Sequence, residues 1–208
     1  QDLTKEMVAE AKESIGLVND EKKMIWVKES TRNLGIIGLV AGRLSNEFYR
    51  PSFALGYDGQ NWVCSSRGID ELDLMEVIKS VSDKLIRFGG HKSAAGFSLN
   101  EKNLEAVQKE MEEFINKKLK GVELTPSVYL DAEISLGDID WDLWKYLDKF
   151  EPFGMNNKKP KFLIKDCLVK DIQFLGADKN HLKLTLEKDG VMKKAIGFRM
   201  AKNFTNLR

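Results

Sequence analysis

The chain has 208 residues, 42% of them hydrophobic and 31% charged, with a formal net charge of +1. Such a length holds one large domain or two small ones, and the composition is ordinary for a soluble globular protein. No apolar run approaches the roughly 20 residues that a bilayer-spanning helix needs, and no basic-then-apolar signal segment opens the chain, so a helical membrane protein is excluded and a cytoplasmic location expected.

Residues 3–18 read as an amphipathic helix, because Leu3, Met7, Val8, Ala11 and Ile15 recur at helical spacing. Met24–Val27 is a short strand-like run. Ile36, Ile37, Val40, Leu44 and Phe48 mark a helix over 35–49. Ser52–Tyr57 and Trp62–Ser66 read as strands, with Asp58–Gly59 as the turn signal between them. Leu74, Val77, Ile78, Val81 and Leu85 predict a third helix, stopped at Gly89–Gly90, where glycine tolerates a left-handed cap. Ala94–Leu99 is a strand, and Leu104, Val107, Met111, Phe114 and Ile115 mark a fourth helix. Alternating strands and helices predict an α/β or α+β layered domain over 1–123.

The pattern changes near Gly121–Pro126. Val128, Leu130, Ala132 and Ile134 alternate with polar residues, as in a half-buried strand. Residues 140–149 read as a short helix whose Trp141 and Trp144, three apart, are expected to pack. Phe162–Phe174, His181–Glu187 and Val191–Phe198 are strand-like, the last two joined by the hairpin signal Lys188-Asp189-Gly190. Several strands at short spacing predict a small all-β barrel over 124–208. The start at Gln1, inside a helical pattern, and the end at Arg208 look like cuts in a longer protein.

Charge is unevenly spread. Residues 1–123 carry 18 basic and 20 acidic side chains, 124–148 one and six, and 149–208 14 and six. A local cationic face can attract a polyanion while the chain stays near neutral; a lysine-rich solvated surface gives the same count. Cys64 and Cys167 match no CxxC pattern and read as buried thiols, not a disulfide or zinc site.

Two stretches carry chemistry. In Arg87-Phe88-Gly89-Gly90-His91-Lys92-Ser93-Ala94-Ala95-Gly96-Phe97, glycines let the backbone and its N–H groups approach a ligand, His91 adds a donor, and Ala94, Ala95 and Gly96 leave room for a phosphate or ribose. The same residues also suit a helix stop followed by a tightly packed strand. In Cys64-Ser65-Ser66-Arg67-Gly68, hydroxyls and a guanidinium at a strand end suit an anion clamp, since arginine grips phosphate through parallel N–H bonds. A turn with an exposed, ion-paired arginine is the alternative.

The order and spacing of Gly35-Ile36-Ile37-Gly38-Leu39-Val40-Ala41-Gly42-Arg43-Leu44, Arg50-Pro51, Ser65-Ser66-Arg67, and Phe88-Gly89-Gly90-His91 with Ala94-Ala95-Gly96 resemble the DHH-associated domain of RecJ nucleases. Phe150-Glu151-Pro152-Phe153-Gly154-Met155-Asn156-Asn157 with Pro160 and Phe162 resembles the start of the RecJ OB-fold region, and His181-Leu182-Lys183 and Ala195-Ile196-Gly197-Phe198 fit the same region. The resemblance departs at Arg32-Asn33-Leu34-Gly35, where the family has Trp-His-x-Gly, and at Cys64 and Ser66, where it has glycines.

The resemblance implies the C-terminal part of a 5′-to-3′ single-stranded-DNA exonuclease of DNA repair and recombination. Its DHH-associated domain would face a catalytic DHH domain in cis. Ser65 and Arg67 would hold the 5′-terminal phosphate, Gly89, Gly90 and His91 would lie near the scissile region, and Ser66, Arg43, Lys92 and Ser93 would be further nucleic-acid contacts. An OB-fold pairs a cationic groove with aromatic platforms; Lys158, Lys159, Lys183 and Lys193, alongside Lys161, Lys194 and Arg199, are the candidate cations, and Phe153 and Phe174 the platforms. Mn2+ or Mg2+ would be bound by the DHH domain and not by this chain, whose only histidines are His91 and His181 and which has no Asp-His-His run. A single-strand-binding protein is a further expected partner. Two other readings remain: a DHH phosphodiesterase of short oligonucleotides or cyclic dinucleotides, against which residues 124–208 argue, and a replication scaffold that lost its metals.

Overall fold

The computed structural model describes residues 2–29, 34–154 and 156–205, with Asp2, Leu3, Glu29, Asn203 and Thr205 in their backbone only. The motif positions Arg32, Asn33, Met155 and Arg208 lie outside the described residues. The chain forms two compact units, 1–126 and 127–208.

Unit 1 is a five-stranded sheet between two helical layers. Strands β1 (Ile25–Glu29), β2 (Ser52–Tyr57), β3 (Trp62–Arg67), β4 (Arg87–His91) and β5 (Ala94–Leu99) stand in the order β1-β2-β3-β5-β4, β1 parallel to β2 and the rest antiparallel. Side chains alternate across a strand. Ile25, Val27 and Ala54 pack under α1 (Asp2–Ile15) and α2 (Ile37–Phe48). Phe53, Leu55, Cys64, Phe97 and Leu99 pack under α3 (Leu74–Lys79) and α4 (Leu104–Lys118). Strand β2, covered on both faces, is buried from Ser52 to Gly56.

Three local readings change. Helix α1 stops at Ile15 rather than 18, because Gly16 (φ 66) takes the left-handed cap and donates its N–H to Lys12 O at 3.2 Å. The third helix is one short segment, not a run to Leu85. Ser80 Oγ donates back to Val77 O at 2.7 Å, Val81 leaves helical geometry, and a single 3-10 turn at Ser82–Lys84 leads into extended backbone at Leu85. Gly89–Gly90 is therefore no helix stop but the middle of β4, where pairing with β5 satisfies its backbone groups. The Asp58–Gly59 turn is a four-residue loop, in which Asp58 Oδ1 accepts the N–H groups of Gln60 and Asn61 at 2.8 and 2.7 Å.

Unit 2 holds a parallel pair, β6 (Ala132–Glu133) and β7 (Phe162–Leu163), the helix α5 (Trp141–Asp148), an antiparallel sheet of β8 (Leu168–Leu175), β9 (His181–Lys188) and β10 (Val191–Gly197) in the order β10-β9-β8, and the short α6 (Ala201–Thr205). Asp140 starts α5 by accepting the N–H of Leu143 at 2.8 Å. The β9–β10 hairpin turns through Asp189 (φ 51) and Gly190 (φ 77), the two positive φ values that match strand twist. The predicted strand 128–134 shrinks to Ala132–Glu133, with Val128, Tyr129 and Leu130 exposed. The predicted strand 162–174 breaks in two around Asp166 (φ 57). The sheet is open: no closed barrel forms among the described residues. Burial pushes the Cys64 thiol well above its ordinary range, whereas Cys167, expected buried, is only partly covered in the link between β7 and β8.

Arg50 ties unit 1 together. It is 5% exposed, and its guanidinium donates to Lys22 O (2.8 Å), Phe48 O (3.3 Å), Tyr49 O (3.1 Å) and Leu124 O (3.0 Å). Arg50→Ala removes the donor to four carbonyls at once, and each orphaned buried acceptor costs ~1–3 kcal/mol. Urea unfolding should show a loss of at least about 3 kcal/mol, with Arg50→Lys recovering less than half, because an ammonium cannot span the same spread of acceptors.

Candidate nucleic-acid interface

The sheet register brings the two chemical stretches together. Arg67 pairs with Ala94, and Ala94 with His91; one step along, Ser65 pairs with Gly96, and Gly96 with Gly89. These two rows share one face of β3, β5 and β4. Arg67 and His91 are two strands apart, about 10 Å. The residues between them are Ala94 and Gly96, so nothing large stands on the floor.

Helix α2 approaches this face through glycine. A Cβ on Gly38 would stand 3.1 Å from Ser65 Oγ and 3.5 Å from Arg67 Nη2, and one on Gly42 would stand 3.8 Å from Arg67 Cγ. Gly38 and Gly42 are four apart, hence on one side of the helix. That spacing was the sequence signal for this contact, and the motif reading did not extract it. Arg67 is further held by its own strand, Nη1 donating to Ser66 O at 2.8 Å. The β4–β5 hairpin is pinned by its carbonyls: Lys92 O accepts from Leu74 N at 3.0 Å and Ser93 O from Gly68 N at 2.9 Å. His91, Lys92 and Ser93 are exposed beside the floor.

A shallow cavity of about 260 Å³ opens over Gly89 and Gly96, with Val63 and Arg87 among its lining residues. Arg87 was not among the expected contacts. The N–H groups of Asn61 and then Gln60, with a smaller contribution from Arg87, hold the Asp58 carboxyl below its ordinary range.

Two expected contacts are corrected. Ser66 has no exposure and points to the other face, its hydroxyl donating to Ala95 O at 2.8 Å, so it cannot meet a ligand on the Ser65–Arg67 face. Arg43 is exposed, but it lines a groove between α1 and α2 with Lys5, Lys12, Asn46 and Glu47, not the β3–β4 floor.

In unit 2, Lys158 and Lys159 are exposed, and Lys159 Nζ lies 5.8 Å from the centre of the half-buried Phe153 ring. Phe174 is partly exposed. Lys183 and Lys193 do not share a surface. Lys183 pairs with Ile196 and Lys193 with Leu186, three positions further along β9, so alternation puts the two lysines on opposite faces of the sheet. Trp141 and Trp144, expected to pack into the unit, are largely exposed and touch each other edge to face.

No three His, Cys, Asp or Glu side chains come together as a possible metal site among the described residues.

Residues 21–117 match the DHHA1 domain and residues 130–208 the RecJ OB domain. The chain thus combines a DHH-associated α/β domain with an OB-type β domain. It belongs to the RecJ family and corresponds to a C-terminal portion of it. It is 29% identical over 200 residues to the single-stranded-DNA-specific exonuclease RecJ of Bacillus subtilis, covering 95% of this chain and 25% of that protein. Against RecJ of Thermus thermophilus the identity is 29% over 144 residues, covering 69% of this chain and 21% of that protein. The crystal structure of Thermus thermophilus RecJ in complex with Mg2+ has the same fold, with a TM-score of 0.73 at 24% identity over 95% of this chain and 30% of that one. Its complex with Mn2+ gives 0.71 at 20% identity over 94% and 33%. The chain spans about a quarter of the length of the curated relatives it matches.

The glycines of β4 are not equivalent. A Cβ on Gly90 (φ 144) would lie 2.4 Å from Ala95 Cα, whereas one on Gly89 would meet nothing within 4 Å. Gly90→Ala should lower the melting temperature by several degrees, and Gly89→Ala should leave it within a degree or two, as expected of an unstrained surface change. Equal melting shifts for the two variants would contradict this division.

Proposed function

We propose that the chain is the substrate-holding part of a RecJ-type exonuclease that degrades single-stranded DNA from its 5′ end. In this reading Ser65 Oγ and the Arg67 guanidinium take the 5′-terminal phosphate, and His91 with the exposed Lys92–Ser93 turn flanks the next phosphate. The terminal nucleoside lies over Gly89 and Gly96, where the absence of side chains lets sugar and backbone approach. Gly38 keeps the helix from closing the Ser65–Arg67 side. The observation that carries the proposal is the pair of rows Arg67–Ala94–His91 and Ser65–Gly96–Gly89, in which donors flank a floor of the smallest residues.

Hydrolysis is assigned to a DHH domain of the longer protein, with Mn2+ or Mg2+ held there; the 208 residues bind and do not cut. Unit 2 is assigned to tracking the strand, with Lys158, Lys159 and Phe153 of the loop before β7 and the lysines of β9 and β10 as further phosphate contacts. The protein would act in DNA repair and recombination in the cytoplasm, alongside a single-strand-binding protein. A phosphodiesterase of cyclic or very short substrates would leave unit 2 without a role.

Arg67→Ala should weaken binding of a 5′-phosphorylated oligonucleotide by about ten- to a hundredfold, in line with the ~1.5–3 kcal/mol of a hydrogen bond to a charged group, and leave the 5′-hydroxyl oligonucleotide almost unchanged. Fluorescence anisotropy on both ends measures this, and equal loss on both would refute the phosphate assignment. The Lys158→Ala/Lys159→Ala variant should weaken all sequences alike. If both lysines contact phosphates, the slope of log K against log salt should flatten by roughly 0.7 per lysine.

A further inference from the structure

Helix α5 carries two tryptophans that the fold does not use. Trp141 is 77% and Trp144 54% exposed, while Leu143 and Leu147 provide the half-buried side of the helix. The two indoles meet edge to face, with centroids 5.9 Å apart and planes at 81°. That is a preferred aromatic geometry, so each ring holds the other in place and leaves indole face free. With Ile139 and Asp140 they wall a cleft of about 340 Å³, and its remaining lining residue is Lys193 of β10.

Lys193 makes no ion pair or hydrogen bond among the described residues. The nearby carboxylates are committed elsewhere. Asp140 accepts the Leu143 N–H that starts α5, and Asp142 pairs with Lys145 at 3.0 Å. The cleft therefore presents an apolar, aromatic wall and one uncommitted cation, which comes from the basic 149–208 segment to meet a wall drawn from the acidic 124–148 segment.

We propose that this cleft is a base-stacking subsite for single-stranded nucleic acid: a base lies against the Trp141–Trp144 pair, and Lys193 meets the adjoining phosphate. Aromatic faces accept any base, which suits an enzyme that must pass every sequence, and the cation supplies the salt-sensitive half of the contact. A protein partner could also use exposed tryptophans as anchors, but the uncommitted Lys193 beside the indoles favours a ligand that carries a phosphate. The inference rests on reading unit 2 as a strand-binding domain. It does not depend on the 5′-phosphate clamp in unit 1.

The test uses the full 208-residue chain and a 5′-hydroxyl oligothymidylate, which the clamp does not select. Binding should quench tryptophan emission in the unaltered chain, and Trp141→Phe/Trp144→Phe should lose most of that quench while keeping much of the affinity. Trp141→Ala/Trp144→Ala should weaken binding by about ten- to a hundredfold, the equivalent of losing a stacked base, with melting unchanged because neither ring is in the core. Lys193→Gln should weaken binding a few-fold and flatten the salt slope by roughly 0.7. Unchanged affinity in the alanine variant, or a loss confined to binding of another protein, would overturn the proposal. Failure of the clamp alone would read differently: Arg67→Ala would not distinguish the two 5′ ends, while the tryptophan variants would still lose the oligothymidylate.

Discussion

Close approach of main chain to main chain across β5 governs the whole of unit 1. A Cβ on Gly96 would lie 2.8 Å from Cys64 O on β3, and one on Gly90 would lie 2.4 Å from Ala95 Cα. Glycine at these points lets β3, β5 and β4 lie side by side without a ridge between them. The register that follows puts Arg67 and His91 in one row and Ser65 and Gly89 in the next. Gly38 extends the same economy of side chains into the helical layer, where Ser65 and Arg67 pass beneath α2. A floor of small residues flanked by donors is the result, and the hydrophobic core on the opposite face backs it.

The two units solve different problems. Unit 1 has a dense core on each face of its sheet, with Phe53, Leu55, Leu44 and Val40 wholly buried. In unit 2 only Leu136, Leu182 and Ala201 are buried among the described apolar residues, and large aromatic and aliphatic groups remain at the surface. An open sheet with exposed rings and scattered lysines suits a surface that makes many weak contacts along a strand. The phosphate site proposed for unit 1 would draw on the stiffer scaffold.

Much of this was legible from residue order. Apolar spacing located α2, α4, β2, β3 and β5, Asp-Gly marked the β9–β10 turn, and the glycine and serine-arginine motifs pointed to the family. The failures have physical causes. Gly89–Gly90 follows a helical pattern of apolar residues, so it read as a helix stop, yet Val81 and Leu85 serve the core from a 3-10 turn and extended chain. Trp141 and Trp144 have the spacing of a packed pair, but the half-buried side of α5 belongs to Leu143 and Leu147.

What the residue order determined by itself was local: periodicity, turn chemistry and the presence of a hydroxyl, a guanidinium and an imidazole in recognisable motifs. Only the tertiary structure decided which of them meet. A pleated strand sends neighbours to opposite faces, so Ser65 and Ser66, indistinguishable in a list, part company: one faces the open floor and the other donates into the core. The same alternation separates Lys183 from Lys193, and pairing through Ala94 brings Arg67 to His91 across 23 intervening residues. Register is a property of long-range pairing, and no local pattern carries it.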